Sequence, residues 1–130
     1  MKLLLRSARC WLGGFLIWLS ILFLLSASSA VNDISPPFQH FDKVAHFGYF
    51  FGGSGLLCAY LFRLNPAPPT AWKRLIVTAV LCIAVVGLLD EYHQTFTPGR
   101  SGNDPFDWLA DILGGTAGAF VFKQIHHLLK

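Results

Sequence analysis

The residues of this sequence able to do chemistry are Asp42 and His46, then Asp90, Glu91 and Gln94, then Arg100, then Asp107 and Asp111. Carboxylates beside an imidazole can hold a divalent cation or move a proton. The planar fork of an arginine suits a phosphate or a carboxylate. Asp42 and His46 are four apart, as are Asp107 and Asp111, so on a helix each pair shares a face. Gln94 stands four residues from Asp90 and three from Glu91, and either pair can point inward. Plainer roles stand beside these. Asp104-Pro105 reads as a helix N-cap followed by proline at the first helical position, with Asp107 at the third, where an acid favours the positive end of the dipole. Asp42 could likewise cap a helix, His46 could bond a neighbouring helix, and Arg100 could simply neutralise nearby acids. Asp90 and Glu91 resist such a reading, because a carboxylate at a helix C-terminus is disfavoured by about 0.3–1 kcal/mol. Adjacent helical residues point about 100° apart, so one of the two faces inward. No serine or cysteine nucleophile motif accompanies the set, which leaves metal-assisted or general-base hydrolysis as the only enzymatic class.

The chain that must position them is 130 residues long, 54% hydrophobic and 13% charged, with a mean hydropathy of +0.53. Soluble domains carry about 25% charged residues, so the class is an integral membrane protein and the domain organisation a single membrane domain, 1–130. The apolar content excludes intrinsic disorder. A net charge of +3 does not suggest a nucleic-acid partner. Cys10, Cys58 and Cys82 are too widely spaced for a zinc motif or a disulfide framework.

Stretches free of formal charge run over 10–32, 44–62, 75–89 and 112–122. A spanning helix needs about 20 mostly apolar residues. The expected fold is therefore all-α, a bundle of four transmembrane helices at about 10–31, 43–62, 71–93 and 105–124, the fourth carrying Asp111 within it. Lys2, Arg6 and Arg9 before an apolar run ending Ser28-Ser29-Ala30 also fit a signal peptide, but the run is long and is read as a retained helix. Lysine and arginine bias sets the orientation. With both termini cytoplasmic, the inner side receives Lys2, Arg6, Arg9, Arg63, Lys73, Arg74, Lys123 and Lys130, and the outer side only Lys43 and Arg100. Every acid (Asp33, Asp42, Asp90, Glu91, Asp104, Asp107, Asp111) then falls at the outer end. Asn65-Pro66-Ala67-Pro68-Pro69 is a rigid connector, Pro36-Pro37 breaks the chain before the second helix, and Thr97-Pro98-Gly99-Arg100 is a tight turn. Gly48 and Gly52, and Gly114 and Gly118, have the small-xxx-small spacing that lets helices approach closely.

Asp42-Lys43-x-x-His46, Asp90-Glu91-x-x-Gln94-x-x-x-Pro98-Gly99-Arg100-Ser101 and Asp107-x-x-Ala110-Asp111-x-x-Gly114-x-x-x-Gly118 occur in order over residues 42–118. This pattern resembles the VanZ-like family of small bacterial membrane proteins. The resemblance implies a multi-pass protein of the bacterial cytoplasmic (inner) membrane, association with the cell envelope, and a link to susceptibility to the glycopeptide teicoplanin. It supplies no reaction. The expected function is an outer-face polar pocket that binds a lipid head group or a peptidoglycan precursor. The alternatives are a metal-assisted membrane hydrolase and a structural bundle whose polar cluster fixes helix register. No organic cofactor is expected, and a divalent cation is the one candidate cofactor. The expected partner is the lipid bilayer. A transporter is disfavoured, since no charged residue falls near the expected midplane, where coupling sites occur.

Overall fold

The computed structural model describes residues 6–29, 35–65 and 71–129. The connector residues 66–69, the charges Lys2, Asp33 and Lys130, and residues 30–31 of the expected first span lie outside them. Four α-helices occur among the described residues: α1 (Ala8–Ser26), α2 (Phe41–Leu64), α3 (Trp72–Gln94) and α4 (Pro105–Ile125), followed by a 3₁₀ turn over His126–Leu129. α1 stops at Ser26, short of the expected residue 31, and Ala27 closes it by donating its N–H to the Phe23 carbonyl. The Ser28-Ser29 pair beyond it favours turns over helix, because short hydroxyl side chains compete for backbone groups.

α1, α2 and α3 are each long and apolar enough to cross a membrane. α4 is 21 residues long but carries Asp107 and Asp111 and is not one of those three. Large apolar side chains point away from the bundle on every helix, among them Leu24, Val44, Leu81, Leu89 and Phe120. An apolar surface of that extent needs lipid rather than water around it. This is a membrane protein.

α2 and α4 form the most extensive pairing, with α3 packed on α4 and α1 on α2. The reason lies in α4. Gly114 and Gly118 face the carbonyls of Phe47 and Phe51 so closely that a methyl group at either position would collide with α2 backbone. Gly115 turns its bare face to Ile83 of α3. Gly48 and Gly52 do not make the matching seam expected of them. Both are exposed with nothing near a built Cβ, because the carbonyls of Phe47 and Phe51, not these glycines, face α4. Phe50, Cys58, Ala79, Ile83 and Ala119 fill the space between the helices. α1 joins through Trp18, whose indole lies on Gly53. Trp18 Nε1 donates to the Tyr49 carbonyl at 3.1 Å and Tyr49 Oη donates to the Trp18 carbonyl at 2.8 Å.

At one end meet the C-termini of α1 and α3 and the N-termini of α2 and α4. Thr97 Oγ1 reaches the Ser26 carbonyl at 2.9 Å, and the 95–104 loop folds back so that Asn103 N donates to the Glu91 carbonyl at 3.2 Å. The expected turn is present, with Arg100 N donating to the Thr97 carbonyl at 3.1 Å and Gly99 at φ 80°, where glycine carries no steric penalty. The acidic side chains gather at this end. Arg63, Lys73, Arg74 and Lys123 belong to the opposite helix ends.

Candidate functional site

α2 brings Lys43 and His46 to the acidic end, and α4 brings Asp107 and Asp111 against them. The Lys43 ammonium donates to Asp107 Oδ1 at 2.8 Å, Asp104 Oδ2 at 3.0 Å and Asp42 Oδ2 at 3.1 Å. An ammonium has three donors, and these bonds account for all of them. One turn deeper, His46 Nδ1 and Asp111 Oδ1 stand 2.9 Å apart. Asp111 is fully buried, and its Oδ2 has no hydrogen-bond partner among the described residues. That oxygen rests on Gly87 of α3, where an added Cβ would lie 2.6 Å from it. Glycine at 87 is what lets a carboxylate sit between α3 and α4.

α3 supplies the remaining groups. Glu91 is 2% exposed, and its Oε2 accepts the Asp104 N–H at 2.7 Å, leaving Oε1 without a partner among the described residues. The carboxylate thus sits at the N-terminus of α4, where the dipole is positive. This offsets the unfavourable C-terminal position that Glu91 has on its own helix. Asp104 is the N-cap of α4, accepting from Phe106 N at 2.8 Å with Pro105 behind it. It is more than a cap, since it also binds Lys43. That ammonium, and then the Phe106 N–H, hold its carboxyl below the ordinary value of 3.8.

The expected residues divide into two sets. One ligand atom each from His46, Glu91 and Asp107 lie within 4.8 Å of one another, and so do those of Asp42, Asp104 and Asp107. Asp107 belongs to both groups. Asp90, Gln94 and Arg100 form a separate chain. Arg100 donates through Nη2 at 2.8 Å and Nε at 3.1 Å to Gln94 Oε1, and Gln94 Nε2 donates to Asp90 Oδ2 at 2.8 Å. Of the two pairings open to Gln94, the one with Asp90 is made. Arg100 therefore reaches an acid through an amide instead of pairing with it directly. Asp42 is exposed and stands in the first turn of α2, whose N-cap is His40; Lys43 is its side-chain partner. Lys43 and Asp104 are the two participants that reading by residue type passed over. The signal was there, since Lys43 is one of only two cations among the acids and directly follows Asp42.

An all-helical membrane protein with a buried carboxylate–imidazole cluster at one end of its bundle is the class these features define. A family model described as VanZ/LLP1 matches residues 11–129, and the chain belongs to the VanZ/LLP1 family. The match extends beyond the three motifs to take in most of α1 and the closing 3₁₀ turn. Comparisons with curated proteins and with solved structures gave no match.

Proposed function

We propose that this is a multi-pass protein of a bacterial cytoplasmic membrane, with α4 as its fourth span and the acidic end on the periplasmic face. In this reading the cluster around His46, Glu91, Asp107 and Asp111 binds the polar portion of a cell-envelope ligand, a lipid head group or a wall precursor. The orientation is supported by the basic residues collected at the other helix ends, as the positive-inside rule requires. Ligand binding is supported above all by Glu91. A buried carboxylate oxygen with no partner carries a desolvation cost of about 1–3 kcal/mol or more, and a bound polar group would relieve it. The structural-bundle alternative supplies no such group, because register could be set by Lys43 and His46 alone. A change in teicoplanin susceptibility is the phenotype to expect if the ligand is a wall precursor.

The test is thermal unfolding of the full chain in detergent micelles, with and without a lipid-linked, phosphate-bearing wall precursor. Wild type should be stabilised by the precursor. Glu91→Gln, which keeps the shape and removes the charge, should fold normally and lose the shift. An equal shift in both proteins, or none in wild type, refutes the pocket.

A further inference from the structure

We propose that His46, Glu91 and Asp107 bind one divalent transition-metal ion, of the zinc or manganese class. The inference deepens the pocket reading and rests on it for the ion's purpose, though not for the ion's presence. Five observations carry it.

The first is geometry. A ring nitrogen of His46 and one carboxylate oxygen each from Glu91 and Asp107 lie within 4.8 Å of one another. Ligands about 2.0–2.2 Å from an ion stand at most about 4.4 Å apart, so small side-chain rotations close the set. The second is the orphaned oxygen: Glu91 is 2% exposed and its Oε1 is unpartnered. The third is that, among the described residues, no lysine or arginine pairs with that carboxylate. The neighbouring group of Asp42, Asp104 and Asp107 surrounds the Lys43 ammonium, which has no donor left. Both bonds shown for the Arg100 guanidinium go to Gln94. Asp107 gives Oδ1 to Lys43 and keeps Oδ2.

The fourth observation is the arrangement behind the imidazole. A histidine that ligates a metal usually gives its other ring N–H to a carboxylate, which fixes the tautomer and raises the basicity of the ligating nitrogen. Asp111 is placed to do this at Nδ1, 2.9 Å away; with the proton on Nδ1, Nε2 is the nitrogen that would ligate. Burial of Asp111 against Gly87 holds that geometry. The fifth is ligand type. One imidazole with two carboxylates favours zinc or manganese over calcium, which takes six or more oxygens. An ion here would also solve an electrostatic problem. Asp42, Asp90, Glu91, Asp104, Asp107 and Asp111 outweigh Lys43 and Arg100, so a phosphate would otherwise meet an anionic surface. A bound divalent ion inverts the local field.

The experiment is equilibrium dialysis of the full chain in micelles after chelator treatment, against Zn²⁺ and separately against Mn²⁺, with metal counted by mass spectrometry. The expected result is one ion per chain. Glu91→Gln and His46→Gln should each weaken binding by more than the about 10–100-fold expected for Asp111→Asn, which removes only the partner of His46. Replacing Cys10, Cys58 and Cys82 with serine and His126 and His127 with alanine should leave the stoichiometry at one. No uptake by helical wild-type protein, or binding undiminished in both ligand variants, overturns the inference. If a variant fails to fold, the wild-type stoichiometry and the Asp111→Asn protein decide. Precursor binding that persists in chelator, with no metal uptake, refutes the ion and spares the pocket. Metal uptake without precursor binding does the reverse.

Discussion

Gly118→Ala and Gly52→Ala exchange the same residue for the same residue inside helices, yet they should move stability in opposite directions. In a helix interior alanine is favoured over glycine by about 0.8–1 kcal/mol. At Gly52 nothing lies within 4 Å of a built Cβ, so that preference should appear as a gain. At Gly118 the new methyl runs into the Phe51 carbonyl, which is backbone and cannot rotate away. Overpacking of this kind costs about 1–3 kcal/mol, so the net effect of Gly118→Ala is a loss of up to about 2 kcal/mol. The consequence should reach the site. α2 carries Lys43 and His46 and α4 carries Asp107 and Asp111, so prising the two helices apart lengthens the 2.9 Å His46–Asp111 contact. Reversible unfolding in mixed micelles, followed by far-UV circular dichroism, gives the two free energies. Should Gly118→Ala gain stability over wild type, or Gly52→Ala prove the less stable of the pair, the close α2–α4 seam is wrong.

Lys43→Met should destabilise the bundle by about 1–3 kcal/mol, since it leaves partly buried carboxylates facing one another without their cation. Adding Asp107→Asn should recover part of that loss, which a double-mutant cycle in the same unfolding assay would measure. Asp104 has a folded-state carboxyl held below 3.8, so its contribution is complete above that value and lost as pH falls through the lower folded value. Asp104→Asn should therefore flatten the acid limb of stability below about pH 4. With Cys10, Cys58 and Cys82 replaced by serine, Ser101→Cys in intact cells should react with a membrane-impermeant maleimide. Labelling only after lysis would invert the proposed orientation.

How much of this could be read from sequence follows from what each feature depends on. The helices were legible because a span announces itself by length and by freedom from charge. α4 needed the bolder assumption that an aspartate lies inside it, and Asp111 does lie there, fully buried. The grouping of acids was legible from topology, since an antiparallel bundle brings alternate helix ends together. Partner choice was not. Whether Gln94 meets Asp90 or Glu91 depends on helix rotation, which a one-dimensional pattern leaves open. The threefold role of Lys43 depends on where a flexible side chain finds three anions at once. Nor did spacing reveal which glycines form the seam. Gly48 and Gly52 have the same period as Gly114 and Gly118, but only the second pair is turned toward a neighbour.

The attachment of Asp107 and Asp111 to side chains of α2 has a consequence for biogenesis. An aspartate at the centre of a span raises the free energy of releasing an isolated segment from the translocon into lipid by about 2.5–3.5 kcal/mol; Asp107 and Asp111 are the third and seventh residues of α4, so each adds a smaller cost of the same sign. α4 has a weaker apolar signal than the other three helices and is made after them. If α4 is the fourth span, as proposed, its entry should wait on an already inserted α2, whose lysine and histidine meet the acids on arrival. Such a helix is recruited by its partner more than by the bilayer, and truncations that remove α2 should leave α4 stranded outside the hydrocarbon.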